Sequence, residues 1–218
     1  MLEKSHPLIA REGWPWLGFG LLLWGVIFWF AGPITALPLL ILLLAGGFMF
    51  RDPPRRVPAL PLAIVAPVDG RLLAVATGTD EFLKREALIL KLEKTAMAVF
   101  SIRSPIEGKI LQQWYQADTR LHANWVQTDE GDDIVWAVSE AGWRKSPHYV
   151  QTGERVGQGQ RCGFQWFASE VYIYLPLAAR TELTPGQKLI AGESVVASLV
   201  HNTAPANIAV ERTHKQEA

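Results

Sequence analysis

Ala66-Pro67-Val68-Asp69-Gly70-Arg71-Leu72 is echoed by Ser104-Pro105-Ile106-Glu107-Gly108-Lys109-Ile110. Both copies read small, proline, aliphatic, acid, glycine, base, aliphatic. A fainter third relative is Pro185-Gly186-Gln187-Lys188-Leu189-Ile190-Ala191-Gly192-Glu193. Each copy suits a strand entered through a tight glycine turn. Short apolar or alternating runs surround them, at 64–66, 72–76, 88–92, 97–102, 110–115, 133–138, 148–151, 162–167, 171–175 and 195–199. Gly and Pro punctuate these runs at the intervals of an all-β sandwich or barrel. Residues 81–94 read two ways, because Phe82, Leu83 and Glu86 could also begin a helix. The expected fold is mainly β: an N-terminal transmembrane helical hairpin, then a β-sandwich of the barrel-sandwich kind.

Upstream of the β region the chemistry changes. Residues 14–50 contain no Asp, Glu, Lys, Arg or His. One membrane crossing needs about 20 apolar residues, so the run is too long for one and just enough for two short ones. Gly32-Pro33 lies where a chain would turn, predicting helices over 14–31 and 34–50. A single tilted helix is the alternative, which Gly32-Pro33 and Pro38 would interrupt; a hairpin dipping into one leaflet is another. The stretch far exceeds a signal-peptide core. Trp14, Trp16, Trp24 and Trp29 include interfacial anchors, and basic residues on both flanks favour two cytoplasmic ends. This predicts a cell-membrane protein with its β domain on the cytoplasmic side. The expected organisation is a lead-in over 1–13, hairpin 14–50, Pro/Arg-rich linker 51–61, β domain 62–201 and loose polar tail 202–218.

Bulk numbers narrow the function. Lys plus Arg and Asp plus Glu both number 21, giving zero formal charge. A neutral chain lacks the basic face that nucleic acid requires. Arg51, Arg55 and Arg56 follow the hairpin; beside a bilayer each should favour anionic lipid by about 1 kcal/mol. The lone Cys162 rules out an internal disulfide, in keeping with a reducing compartment. It reads as a packed side chain. The five histidines are scattered at 6, 122, 148, 201 and 214, with no metal-ligand spacing. Asp118, Asp129 and Asp132 read as a solvated acidic loop.

Taken in order, several pieces resemble one family, the short-type phosphatidylserine decarboxylases with their archaetidylserine-type relatives. Ile9-Ala10-Arg11-Glu12-Gly13-Trp14-Pro15 looks like its amphipathic lead-in. Phe50-Arg51-Asp52-Pro53-Pro54-Arg55 is close to its Phe-Arg-Asp-Pro-x-Arg. Ala66-Pro67-Val68-Asp69-Gly70 matches Ser/Ala-Pro-x-Asp-Gly, and Arg103-Ser104-Pro105-Ile106-Glu107-Gly108 matches Arg-x-Pro-x-x-Gly. Residues 159–164, Phe167-Ala168-Ser169 and Ala191-Gly192-Glu193-Ser194-Val195 complete the series.

The resemblance implies a zymogen that cuts itself. An internal serine attacks the preceding carbonyl, the ester eliminates, and a pyruvoyl group remains at the new N-terminus. That carbonyl condenses with the substrate amine and takes up the electrons released as carbon dioxide leaves. No metal is implied. Ser169 occupies the serine position, Ala168–Ser169 the cleavage pair, and Asp69 the aspartate position. The implied substrate is an aminophospholipid, phosphatidylserine becoming phosphatidylethanolamine. Implied partners are the membrane and a homo-oligomer or a hetero-oligomer with a family member.

The chain departs from the family at three places. The family's Asp-Val-His-x-Asn-Arg corresponds to a segment at 99–105 that reads as shorter and has no histidine. Ala168 replaces the glycine of the Gly-Ser pair, and glycine reaches strained backbone angles more easily. Glu-Asn-Glu-Arg is not reproduced near 128–133. General-base help is worth about 10²–10⁴-fold, so the missing histidine bears on competence. His122 and His148 are candidate substitutes. The alternative reading is a non-catalytic relative that stays uncut and binds lipid or a partner protein. A membrane-anchored adaptor without lipid chemistry is a third.

Overall fold

The computed structural model describes residues 9–95, 98–140, 146–166 and 170–200. The Ala168–Ser169 pair, the start of the lead-in, and the tail fall outside the described residues.

A 3₁₀ turn at Arg11–Gly13 leads into helix α1, Trp14–Ala31, and helix α2, Pro33–Met49. Gly32 separates them at φ 88°, a conformation open to glycine and costly for other residues. The hairpin's outward side chains are apolar and exposed, as at Phe30 and Ile34. Helix α1, taken with the turn before it, is long and apolar enough to cross a membrane, whereas α2 is shorter. Pro38 was expected to interrupt a helix, but α2 runs through it. Bundled apolar helices tolerate such a proline better than exposed soluble ones.

Among the described residues, twelve strands follow: β1 Ala63–Val65, β2 Gly70–Thr79, β3 Glu86–Lys94, β4 Ser101–Arg103, β5 Gly108–Gln116, β6 Leu121–Gln127, β7 Asp133–Ser139, β8 Arg155–Val156, β9 Arg161–Phe164, β10 Glu170–Leu175, β11 Lys188–Leu189 and β12 Val195–Ser198. The mainly β expectation holds. The ambiguous 81–94 resolves as a turn and then a strand. Asp80 accepts the backbone N–H groups of Phe82 and Leu83, which closes the turn. Leu90 and Leu92 then alternate inward with period 2. Among the described residues of the run at 97–102, strand forms only from Ser101, and 148–151 contributes a single bridge, His148 to Gly163. Strands β6 and β8 were not anticipated, whereas β11 follows the Gly186 turn of the third echo. The two-residue strands are too short to show periodicity, and β6 carries Ala, Asn and Gln among its apolar residues.

The sheet is built from two nested halves. Its order is β11-β2-β3-β10-β7-β6-β5-β8, with β1-β12 and β4-β9 as separate pairs. Strands β1, β2 and β3 pair with β12, β11 and β10; β4, β5 and β6 pair with β9, β8 and β7. The halves join where β10 meets β7.

The motif echo is the local signature of this duplication. Bulges fall between Leu72 and Ala74 in β2 and between Ile110 and Gln112 in β5. Val65 donates its N–H to the Pro105 carbonyl at 2.8 Å, and Arg103 returns the bond to Pro67 at 2.9 Å. Gly70 and Gly108 open their strands so close to a neighbouring strand that an added Cβ would collide with the Glu93 or Gln127 carbonyl. The core between the layers includes Ile64, Leu72, Leu92, Ile102, Ile110, Val126 and Ile173.

Candidate active site

The motifs that were separate in sequence meet at the base of the hairpin. Asp52 sits at 1% exposure and takes Arg103 Nη2 at 2.8 Å. Arg161 reaches the same carboxylate at 3.5 Å and Glu12 at 2.9 Å. Tyr149 donates its hydroxyl to Glu12. Arg103 Nη1 also donates to the Gly159 carbonyl at 3.0 Å. The lead-in, the Arg-Asp-Pro segment, the Arg-x-Pro segment and β9 are thus clamped by one buried charge cluster. Charges this buried are sustained only because each finds partners. Burial is the main cause holding the Arg103 guanidinium below its ordinary pKa, partly opposed by Asp52.

Apolar packing reinforces the clamp. Phe50, at the end of the hairpin, stacks on Phe164 with centroids 6.0 Å apart and meets Phe100 edge-on at 5.5 Å. Trp166 packs edge-on against Phe164 at 5.0 Å. This aromatic cluster is the floor of the site.

Asp69 lies in the turn before β2. One carboxylate oxygen takes Arg55 Nη2 at 2.7 Å and the other the Ala191 backbone N–H at 2.7 Å. It therefore joins the linker arginine to the Ala-Gly-Glu-Ser turn. The side chains of Arg55 and Asp69 are only 11% and 19% exposed. Of the arginines assigned to lipid, Arg55 points into the protein. Arg51 packs over the Phe48 ring and donates to the Phe48 carbonyl. Arg56 is exposed, while its backbone N–H meets Glu193.

Beyond Asp69 lies a group not singled out from sequence. Lys94 ends β3 directly across from Gly70 and is fully buried. Its Nζ donates to the Gln165 carbonyl at 3.3 Å and sits 4.9 Å from the centre of the Phe100 ring. Burial pushes its pKa down to about 8, and the Asp69 charge opposes that fall. One signal was available in sequence. Lys94 continues the parity of Leu90 and Leu92, the face of β3 that points inward.

Gln165, also fully buried, extends the polar line. It receives the Ser146 hydroxyl at 2.6 Å and donates to the Ser139 carbonyl at 3.1 Å. The Ser146 backbone N–H donates to Glu140 at 3.1 Å. Beyond stand the two candidate histidines, with ring centroids 3.5 Å apart. His148 Nε2 lies 3.9 Å from Glu140 Oε1. Burial, with mutual repulsion at His122, lowers both pKa values to about 4, so the rings are neutral near pH 7. Asp69, Lys94 and Gln165 are thus brought together, and the histidine pair stands one relay further out.

The missing histidine also acquires a location. Counted back from Arg103 through Asp-Val-His-x-Asn-Arg, the motif aligns without a gap. That count puts Phe100 three positions before Arg103, the spacing of the histidine in the motif. Cys162 is fully buried, donates to the Gln160 carbonyl at 3.3 Å, and burial raises its pKa to about 12. That is a packed thiol with no nucleophilic character. Among the described residues, no group of three or more His, Cys, Asp or Glu could hold a metal ion.

The chain is similar, along most of its length, to proteins named phosphatidylserine decarboxylase proenzyme. The protein of Nitrosomonas eutropha is 38% identical over 207 residues, covering 88% of this chain and 95% of its own. That of Nitrosomonas europaea gives the same figures. The Burkholderia vietnamiensis protein is 37% identical over 213 residues, covering 91% of this chain and 99% of its own. No family model and no solved structure matches. By this extent of identity, this chain belongs to the phosphatidylserine decarboxylase family.

Proposed function

We propose that the chain is a membrane-anchored proenzyme that cuts itself between Ala168 and Ser169 and then decarboxylates an aminophospholipid, turning a phosphatidylserine-like head group into its ethanolamine counterpart. The single observation carrying this reading is the convergence of Asp69, Lys94 and Gln165 at the hairpin base. Both described ends of the chain around the cleavage pair belong to that convergence: Gln165 accepts the Lys94 amine, and Glu170 pairs with Glu93, the neighbour of Lys94. Asp69 supports maturation by holding the Arg55 and Ala191 segments in place. The apolar hairpin holds the site at the head-group plane, on the cytoplasmic side, and Arg51 and Arg56 meet lipid phosphates there. Arg55 serves through Asp69.

A pyruvoyl group derived from Ser169 would supply the electron sink for loss of carbon dioxide. The surroundings suit such a group. A buried amine and a buried amide offer donors to carbonyl oxygens, and aromatic rings exclude water. The absence of histidine at position 100 favours a second reading, a non-catalytic relative that stays whole and binds lipid.

A denaturing gel with mass spectrometry separates the two. Self-cleavage yields a C-terminal piece spanning 169–218 whose first residue is blocked to Edman chemistry. In liposomes of phosphatidylserine that preparation releases carbon dioxide. An intact chain, unchanged by Ser169→Ala, would overturn the catalytic reading.

A further inference from the structure

We infer that the turn at 189–194 and the start of the linker make a second membrane contact, which lays the β domain on an anionic lipid surface with Ile190 and Val57 at the head-group boundary. The inference rests on the membrane anchoring proposed above and extends it from the hairpin to the domain. Position, side-chain chemistry and charge each support it.

The turn is stapled to the chain as it leaves the hairpin. Asp69 takes Arg55 Nη2 and the Ala191 N–H, each at 2.7 Å, and the Arg56 N–H donates to Glu193 at 3.1 Å. The Arg103 side chain spans the remaining gap. Its guanidinium holds Asp52, which lies just past the end of α2, and a Cβ added to Gly192 would lie 3.1 Å from its Cδ. The turn therefore stands one arginine side chain away from the hairpin base.

Its surface is apolar. Ile190 is 45% exposed, and Val57, packed against Gly159, is 38% exposed. Tyr149, bonded to Glu12, continues the ring on the lead-in side, where Trp14 and Trp16 are also exposed. Single exposed apolar side chains are ordinary in soluble proteins. These gather where the chain enters and leaves an apolar hairpin, and aromatic and aliphatic side chains beside arginine are the composition of a membrane interface.

Charge is sorted in the same direction. Glu12 turns to Arg161, Asp52 to Arg103, Asp69 to Arg55 and Glu193 to the Arg56 N–H. Arg11 and Arg56 are exposed and Arg51 lies over the Phe48 ring, with no acid paired to their guanidinium groups among the described residues. A chain of zero formal charge thus presents cations beside its hairpin, which suits anionic head groups. A domain lying this way turns its Asp69 side to the bilayer, so an aminophospholipid reaches the site without leaving its leaflet.

The test uses the full chain in liposomes of phosphatidylcholine and phosphatidylglycerol and needs no enzymatic activity. Cys162 is fully buried, and burial raises its thiol pKa to about 12, so thiol reagents spare it. A polarity-sensitive fluorophore is attached to Ile190→Cys, to Val57→Cys and, for reference, to Glu81→Cys in the turn between β2 and β3, whose side chain is exposed. Quenching by iodide in the water is compared with quenching by lipids labelled near the head group. We expect the labels at 190 and 57 to lose iodide quenching, gain lipid quenching and shift to the blue relative to position 81. Vesicles of phosphatidylcholine alone should weaken all three changes. Iodide quenching equal to that at position 81 would overturn the inference. So would protection from iodide without lipid quenching, which marks a protein partner or a second copy on the turn, and so would equal lipid quenching without phosphatidylglycerol. Carbon dioxide release from phosphatidylserine by the unlabelled chain reports on the proposed function separately.

Discussion

The two halves of the sheet share a plan and differ in what they do with it. Asp69 and Glu107 occupy the same place in the repeated motif. Asp69 is mostly buried, bonded to Arg55 and Ala191, and faces Lys94. Glu107 is 68% exposed, with Arg155 at 3.9 Å its ion-pair neighbour, and lines an open cleft with Thr128, Asp129 and Gln158. The same turn geometry thus holds a mostly buried, fully bonded carboxylate in one half and a solvated one in the other. The difference lies in what covers the turn. Around Asp69 that is the linker leaving the hairpin and the aromatic floor beneath it. Duplication supplies the scaffold, and the linker that follows the apolar hairpin, joined to Asp69 through Arg55, covers one of the two turns.

The comparison breaks most severely if the cover is removed. Arg103→Met leaves the Asp52 carboxylate buried with one weaker partner and should cost about 3–5 kcal/mol of stability, read by denaturant unfolding in detergent. Asp69→Asn should slow self-cleavage about 100-fold, equivalent to about 2.7 kcal/mol, whereas Glu107→Gln should leave the rate within about twofold; fragment appearance on gels reads both. Equal losses would mean that the halves are functionally alike.

Acid should sharpen the contrast next. His122 and His148 have folded pKa values near 4 against an ordinary 6.5. Between those values the unfolded chain binds more protons, so stability falls as pH drops from 6.5 towards 4. The loss should be about 2 kcal/mol per ring at pH 5, and His148→Gln should flatten much of it in melting curves taken from pH 7 to 4.5. The smallest effect belongs to the open half. Arg155→Ala breaks exposed, solvent-screened pairs to Asp129 and Glu107 and should leave the denaturant midpoint essentially unchanged.

Much of the architecture was legible because it is local. The uncharged run at 14–50 reads as a hairpin by composition, and Gly32 bends it because glycine alone takes that φ cheaply. The echoed turns announced strands, and β2, β5, β7 and β10 fell where apolar alternation put them. The site was legible only in part. Asp69 stood out through its motif. Lys94 did not, because a lysine in a strand reads as solvent-facing until the parity of its neighbours is followed inward. Gln165 and Ser146 gave no signal, since a buried amide and hydroxyl matter only for what they touch.

What the chain's order of residues determined by itself was the list of parts: an apolar hairpin, a run of turn-punctuated strands, and motifs in the family's sequence. These follow from short-range sterics and hydropathy, which neighbours in the chain decide. Tertiary structure alone decided that the two echoes are halves of one nested sheet, and that Asp52 meets Arg103 from 51 positions away. It also decided that the Lys94 amine is buried beside the carbonyl of Gln165, 71 positions away. Those relations arise from burial and pairing between segments far apart in sequence, where the energy of a charge depends on what encloses it.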